Sequence, residues 1–175
     1  NFLKSNPVET RHIIQEFIRV AVPNHQIHFT LTHNSTEVHD LQAGTRESRL
    51  IDMFGKDLQG NLNEVNEDTG YAGISGFLAS PKVYRRQRGE QFFFVNGRYI
   101  RHHYLAHSVA TAYEEFLPKD SYPFYCLFID VDPVHVDINI HPTKTEVKFD
   151  DERTLYVLLQ GIVKRSLGEA FRHYN

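Results

Sequence analysis

The chain has 175 residues, of which 41% are hydrophobic, a size and composition that suit one folded domain and exclude a disordered chain. It has no apolar run long enough for a transmembrane helix, no signal-peptide pattern and one cysteine, so we expect a cytoplasmic protein without membrane contact or disulfides. The net charge of −3 argues against a protein dedicated to binding nucleic acid.

The first third of the chain is predicted to form a helix, a β-hairpin and a second helix. Apolar residues at helical spacing indicate the first helix, with Pro7 in its first turn and Pro23 after its end. Thr45 is a fair N-cap for the second helix, and Gly55 is a fair stop. The predicted elements are a helix over residues 7–21, strands over 26–32 and 36–41, and a helix over 45–54 whose inward face is Leu50, Ile51 and Phe54.

The rest of the chain alternates between apolar strands and amphipathic helices. Asn96-Gly97 is a strong turn signal after an almost wholly apolar strand. The predicted elements are strands over residues 58–66, 71–79, 91–95, 122–131 and 134–140, and helices over 104–117 and 152–174. This order predicts an α+β fold, a mixed α/β sandwich in which helices cover one face of a mixed sheet, and a single domain over residues 1–175.

Positive charge is concentrated in residues 82–107, which we call the basic segment. It carries six Lys or Arg residues against Glu90 alone, a net of +5, whereas the stretches before and after it each carry a net of −4. The six are Lys82, Arg85, Arg86, Arg88, Arg98 and Arg101. Such a segment fits an anionic partner met at one face, such as nucleic-acid phosphates, or it is the solvated rim of a hairpin.

A second feature is the stretch that ends in an exposed lysine turn. Apolar and polar residues alternate up to Ile140, which predicts a strand, and Pro142 ends it because proline has no N–H to give to a ladder. Thr143-Lys144-Thr145 then forms a short turn, which we call the Lys144 turn. It presents Lys144 either as a point charge aimed at an anion or as a solvated loop lysine.

Two other patterns carry candidate chemistry. His103 and His107 lie on one face of a predicted helix, next to His102, as metal ligands would need, but no acidic or cysteine ligand is near in sequence, so we predict no metal site. Asp68-Thr69-Gly70 resembles a nucleotide loop only superficially, and no Walker loop or spaced-glycine fingerprint occurs. The chain alone therefore offers no cradle for a nucleotide.

Two phrases point to a family. Phe94-Val95-Asn96-Gly97-Arg98-Tyr99-Ile100 and the stretch Val136 to Phe149 closely resemble the signature phrases of the MutL family of DNA mismatch repair proteins, in order and separation. Asn1-Phe2-Leu3-Lys4 is similar to the family's junction after its ATPase domain. The resemblance covers nearly the whole chain and implies the transducer domain, the second N-terminal domain. The GHKL-type ATPase domain before it and the dimerisation domain after it are then absent.

The resemblance implies a fold and a role for the lysine turn. The transducer fold is also seen in gyrase B and in a ribosomal small-subunit protein, and it contains a left-handed β-α-β crossover, against the usual preference. Lys144 matches the family lysine that reaches the γ-phosphate of ATP in the neighbouring ATPase domain. The residues expected to support the turn are Asn139, His141, Pro142 and Glu146. We expect no enzyme activity from the fragment alone, whereas the full-length protein is expected to be an ATPase that uses ATP and Mg.

The resemblance also implies partners. The family binds DNA, and the best candidates for phosphate contact are Arg98, Arg101, His102 and His103, followed by Arg85, Arg86 and Arg88. The other implied partners are MutS, the protein's own ATPase domain and a second full-length copy, in the bacterial cytoplasm; whether the full protein is also an endonuclease is left open. A rival hypothesis is a stand-alone nucleic-acid-binding module that uses the basic segment. A third is the matching domain of a related topoisomerase.

Overall fold

The structure is a computed structural model that describes residues 2–138 and 145–171, without the side chains of residues 2–6 and 138. The chain divides into two compact units, Asn1–Lys56 and Asp57–Asn175. The expectation of a single domain over the whole chain stays a prediction. Within the described ranges, none of the helices combines the length and the apolar character that crossing a bilayer requires.

The first unit consists of two helices and a hairpin, as predicted. Its elements are α1 (Phe2–Ala21), β1 (Phe29–His33), β2 (Thr36–Leu41) and α2 (Arg46–Phe54). The two strands pair antiparallel through a tight turn in which Asn34 and Ser35 both have positive φ angles. The predicted start of α1 was wrong: the helix begins five residues before Pro7, which lies inside it at the loss of one backbone hydrogen bond.

The predicted caps of α2 are confirmed. The side chain of Thr45 accepts a hydrogen bond from the backbone N–H of Ser48, which satisfies a donor that the first turn leaves free. Gly55 follows the helix with a φ of 133°, a conformation that glycine adopts without a side-chain penalty. The buried face of α2 differs from the prediction, because Arg49, Leu50 and Met53 are its buried residues.

Arg49 is buried at 1% exposure and its guanidinium group is the polar centre of the first unit. It donates hydrogen bonds to five backbone carbonyl oxygens, 2.6–3.3 Å away, and its charge lies 5.4 Å from the ring centre of Phe29. Burial lowers the pKa of Arg49, although the charge of Asp52 opposes this. The carbonyls belong to Ala21, Asn24, His25, Ile27 and Gln42.

Replacing Arg49 with methionine is expected to destabilise the chain strongly. Methionine is unbranched and apolar, so it leaves buried carbonyl oxygens without donors, at a cost of about 3 kcal/mol or more. Chemical denaturation monitored by circular dichroism measures the change in free energy of unfolding. The exposed Arg11 on α1 is the matched control, and Arg11→Met should change stability by less than about 0.5 kcal/mol. Equal stability of the two variants would contradict a central role for Arg49.

The second unit is built on a mixed sheet, and the predicted α+β class is confirmed. Five strands lie in the order β3-β4-β7-β5-β6, with β5 and β7 parallel and the other pairs antiparallel. The strands are β3 (Leu62–Asp68), β4 (Ala72–Ala79), β5 (Gln91–Val95), β6 (Arg98–Ile100) and β7 (Tyr125–Val131). The other elements are α3 (His103–Tyr113), the hairpin β8 (Val136–Ile138) and β9 (Val147–Phe149), and α4 (Glu152–Ala170).

The core of this unit lies between the sheet and the helices α3 and α4. Alternate residues of the central strands, such as Phe93 and Leu127, belong to one buried cluster with Val109 of α3 and Leu159 of α4. Most residues of β5 and β7 are buried on both faces, which explains their almost continuous apolar sequences. The parallel pair of β5 and β7 requires a crossover through β6 and α3; its left hand stays a prediction.

Element boundaries differ from the prediction at two places near the candidate site. Helix α3 ends at Tyr113 instead of residue 117, and a turn follows in which the N–H of Phe116 donates to the carbonyl of Tyr113. The strand predicted from residue 134 begins at Val136, because Pro133–His135 form one turn of 3₁₀ helix capped by the Asp132 side chain. Alternation of residue types did not reveal this cap.

Candidate functional site

The turn between β5 and β6 places two arginines at the edge of the sheet. Asn96 and Gly97 have φ angles of 49° and 82°, which a two-residue hairpin turn requires. The Asn96 side chain donates to the carbonyl of Val131 at 3.0 Å and accepts from its N–H at 2.9 Å, so it extends β5 along β7. Arg98 and Arg101 then follow on and just after β6, and both are exposed.

The backbone next to Arg101 is joined to the residue that follows Lys144. The N–H of Arg101 donates to the carbonyl oxygen of Thr145 at 3.0 Å. Because Thr145 follows Lys144 directly in the chain, this bond connects the basic end of β6 with the segment that leads from the Lys144 turn into β9. No pattern in the sequence links these two features.

His102 has both ring nitrogens engaged within the protein. Its Nδ1 accepts from the N–H of Leu105 as the N-cap of α3, and its Nε2 lies 2.7 Å from Oε2 of Glu152 on α4. The same carboxylate oxygen accepts from the N–H of Phe149 at the end of β9. His102 therefore ties α3, β9 and α4 together, and its predicted contact with DNA stays a prediction. His103, the next residue, is exposed.

The earlier arginines of the basic segment divide into two groups. Arg85 is largely covered, pairs with Asp57 at 2.8 Å and Glu90 at 2.9 Å, and lies over the ring of Phe124. Burial lowers the pKa of Arg85, but these two carboxylates more than offset that effect and raise it overall. Arg86 and Arg88 are exposed, with Arg88 over the ring of Tyr122. Arg85 thus has a structural role that composition could not reveal.

Most of the predicted lysine site lies outside the described residues. Lys144, Asn139, His141 and Pro142 belong to the range 139–144. Glu146 is described and is exposed. The two strands that flank this range are described. β8 and β9 pair antiparallel, from Val136 opposite Phe149 to Ile138 opposite Val147.

A polar cluster that residue patterns did not reveal holds the base of this stem. Tyr71, from the turn between β3 and β4, donates to Oδ1 of Asp150 at 2.6 Å, and Oδ2 of Asp150 lies 2.7 Å from Nδ1 of His135. Burial and the bond to Asp150 raise the pKa of Tyr71 to about 12. The bond from Tyr71, followed by that from His135, lowers the pKa of Asp150, which in turn raises that of His135. No spacing in the sequence joins these three residues.

The described residues offer no metal site, and residues of the turn at Asp68 line an open cleft. Among residues 2–138 and 145–171, no group of three or more His, Cys, Asp or Glu side chains is arranged to hold a metal ion. The residues that line this cleft beside Tyr71 include Glu67, Asp68, Asp130 and Asp132. Asp68-Thr69-Gly70 forms a turn there, with the Asp68 side chain accepting from the N–H of Gly70.

Comparisons with known proteins agree with the two signature phrases. The chain is 50% identical over 169 residues to the DNA mismatch repair protein MutL of Christiangramia forsetii and 47% identical to that of Flavobacterium psychrophilum. Residues 50–168 match the family described as DNA mismatch repair protein, C-terminal domain. The chain belongs to the MutL family of DNA mismatch repair proteins. The predicted membership is thereby confirmed.

The chain spans little more than a quarter of the length of these relatives. Each alignment includes 97% of the chain but 27% of the Christiangramia protein and 28% of the Flavobacterium protein. The N-terminal domain of a DNA repair protein has the same fold, with a TM-score of 0.73 and 16% identity over 98% of the chain and 60% of its own. The ATPase domain of Aquifex aeolicus MutL also shares the fold, with a TM-score of 0.60 and 15% identity over 93% of the chain and 53% of its own.

Proposed function

We propose that this chain is the transducer domain of a MutL protein, which presents Lys144 to the γ-phosphate of ATP held by a neighbouring ATPase domain and offers a basic surface to DNA. The full-length protein would then be an ATPase that uses ATP and Mg in mismatch repair, and the chain alone would not be an enzyme. Membership of the MutL family supports this division of labour.

The observation that carries the proposal is the hydrogen bond from the N–H of Arg101 to the carbonyl of Thr145. It joins the basic end of β6 to the residue after Lys144, so a displacement of the backbone at either place can move the other. A lysine that gains a strong contact with a terminal phosphate and loses it on hydrolysis is the local event from which such a switch is built. ATP-driven dimerisation and partnership with MutS, in the cytoplasm, belong to the same proposal.

The DNA surface is proposed to consist of Arg98, Arg101 and His103, which we call the basic strip. All three are exposed, whereas Arg85 and His102 are engaged with carboxylates. Arg86 and Arg88 are exposed and would extend the strip. Phosphate contacts of this kind give binding without sequence preference, with an affinity that falls steeply as salt rises.

Replacing Arg98 and Arg101 together with alanine is expected to weaken DNA binding by the full-length protein roughly 10- to 30-fold at about 0.15 M salt. Each lost phosphate contact should reduce the slope of log affinity against log salt by about 1, so the double variant should lose about 2. Fluorescence anisotropy with a labelled duplex over a salt series measures both quantities.

Lys164→Ala is the matched control, because Lys164 is an exposed cation on α4 outside the basic segment. It should leave the affinity and the slope unchanged. An unchanged slope in the Arg98→Ala/Arg101→Ala variant would contradict the basic strip. The rival hypothesis of a stand-alone nucleic-acid-binding module predicts the same loss of DNA binding. It also predicts that replacing Lys144 does not change ATP hydrolysis.

A further inference from the structure

The packed pair of helices α3 and α4 exposes a set of aromatic rings beside the basic strip. Tyr104 on α3 is 42% exposed, and its ring centre lies 4.5 Å from that of Tyr156 on α4, with the planes 33° apart. The ring of His107 lies 6.0 Å from Tyr156 on a nearly parallel plane. The exposed face of the Tyr104 ring can stack on a ligand with a flat face.

Hydrogen bonds fix the ring of Tyr156, on which Tyr104 packs. Nδ1 of His107 lies 2.7 Å from the hydroxyl of Tyr156, and Oγ of Ser108 donates to the backbone carbonyl of Tyr156 at 2.7 Å. A bond from Gln160 to the hydroxyl of Thr111 joins the two helices further along. The support on which the Tyr104 ring packs is therefore ordered in the free protein, which favours binding of a planar group.

The surroundings of the rings favour an anionic ligand. Arg101 and His103 precede Tyr104, and Arg153 lies one turn before Tyr156 on α4; all three are exposed. The acidic residues nearest to Tyr156 in sequence have hydrogen-bond partners within the protein. Asp151 accepts from the N–H and the hydroxyl of Thr154 as the cap of α4. Glu152 accepts from Phe149 and is paired with His102.

We propose that the outward face of Tyr104, whose other side packs on Tyr156, stacks an unpaired base of single-stranded DNA whose phosphates lie along the basic strip. Aromatic rings between cations are the arrangement by which proteins bind single strands without sequence preference, since every base has a flat face and paired bases do not expose theirs. The inference rests on the proposed DNA surface and adds to it a preference for unpaired over paired bases. The same face could instead dock a protein partner through its apolar area, and the test separates the two.

The test compares Tyr104→Ala, Tyr104→Phe and Val157→Ala in the full-length protein, with dT20 and a 20-base-pair blunt duplex as probes. We expect Tyr104→Ala to weaken dT20 binding roughly 10-fold, with the salt slope unchanged and duplex affinity within about 2-fold of native. Tyr104→Phe keeps the ring and should bind dT20 as the native protein does. Val157, exposed at 59% next to Tyr156, has no ring, so Val157→Ala should also bind normally.

Three results would overturn the stacking site. The first is an equal loss of affinity for dT20 and for the duplex in Tyr104→Ala. The second is a loss of dT20 affinity in Val157→Ala as large as in Tyr104→Ala, which would favour a protein-docking face. The third is no loss of affinity for either probe in Tyr104→Ala. A melting temperature measured beside each titration identifies misfolding; if Tyr104→Ala melts early, Tyr104→Leu replaces it under the same criteria. If the Arg98→Ala/Arg101→Ala variant binds DNA with the salt slope of the native protein, the basic strip is refuted as the DNA surface, whatever the result for the Tyr104 variants.

Discussion

Replacing Lys144 with alanine in the full-length protein is expected to lower steady-state ATP turnover by about 100-fold or more while nucleotide still binds. The reason is electrostatic: a fixed cation at the terminal phosphate stabilises the charge that develops there during hydrolysis, and loss of one such group costs that much in other enzymes. Initial rates of phosphate release at saturating ATP give kcat. Binding of a fluorescent nucleotide to the same variant verifies that the ATPase site is still formed.

Lys148→Ala is the matched control for this experiment. Lys148 lies on β9, four residues after Lys144, and is exposed opposite Asp137 on β8. It shares the hairpin and the charge but not the turn, so its replacement should leave kcat within about 2-fold of native. Equal losses in both variants would mean that general positive charge on the hairpin, and not the turn, is what matters.

Replacing Gly76 with alanine is expected to be the most damaging change in the sheet. Gly76 lies on β4 with a φ of 124°, and a Cβ there would overlap the carbonyl oxygen of Cys126 and lie 3.0 Å from Cα of Leu127 on β7. Backbone of a central strand cannot move aside, so strain and overlap together should cost about 3 kcal/mol or more. For a chain of this size, that lowers the melting temperature by roughly 6–12 °C.

Gly73 on the same strand supplies the comparison. A Cβ at Gly73 would meet its nearest atoms, in Asp130 of β7, at 3.9 Å, and its φ is not positive. Gly73→Ala should therefore melt within about 2 °C of the native chain. Thermal unfolding by circular dichroism measures both variants. A Gly76→Ala chain as stable as Gly73→Ala would refute the close approach of β4 to β7.

Local signals in the sequence predicted local structure well. Thr45 and Gly55 marked the ends of α2, and Asn96-Gly97 marked the turn into β6, because caps and tight turns depend on neighbouring residues alone. The second role of Asn96, its pair of hydrogen bonds to Val131, depends on a strand 35 residues away and could not be predicted from spacing.

The polar interior is the part that residue patterns do not reveal. Arg49 lies outside the apolar face predicted for α2, yet five backbone carbonyls, four of them 22–28 residues away in sequence, surround its guanidinium group. Arg85 and His102 belong to the predicted DNA surface, although carboxylates hold both within the protein. Net charge by segment therefore overstates the surface available to DNA. The resemblance to the MutL family implies what spacing could not, the pairing of the Lys144 turn with a nucleotide outside the chain.

The central claim is that Lys144 contacts the γ-phosphate, and the most direct test is a difference in affinity. Isothermal titration calorimetry of the full-length protein, native and Lys144→Ala, would measure binding of ADP and of a non-hydrolysable ATP analogue, which differ by that phosphate. We predict that Lys144→Ala lowers the affinity for the ATP analogue by about 10-fold or more and leaves the affinity for ADP unchanged. The reason is that only the analogue carries the γ-phosphate with which Lys144 makes its charge-assisted contact. Equal affinities of native and variant protein for the analogue would contradict the contact and leave the basic strip as the main functional feature of the chain.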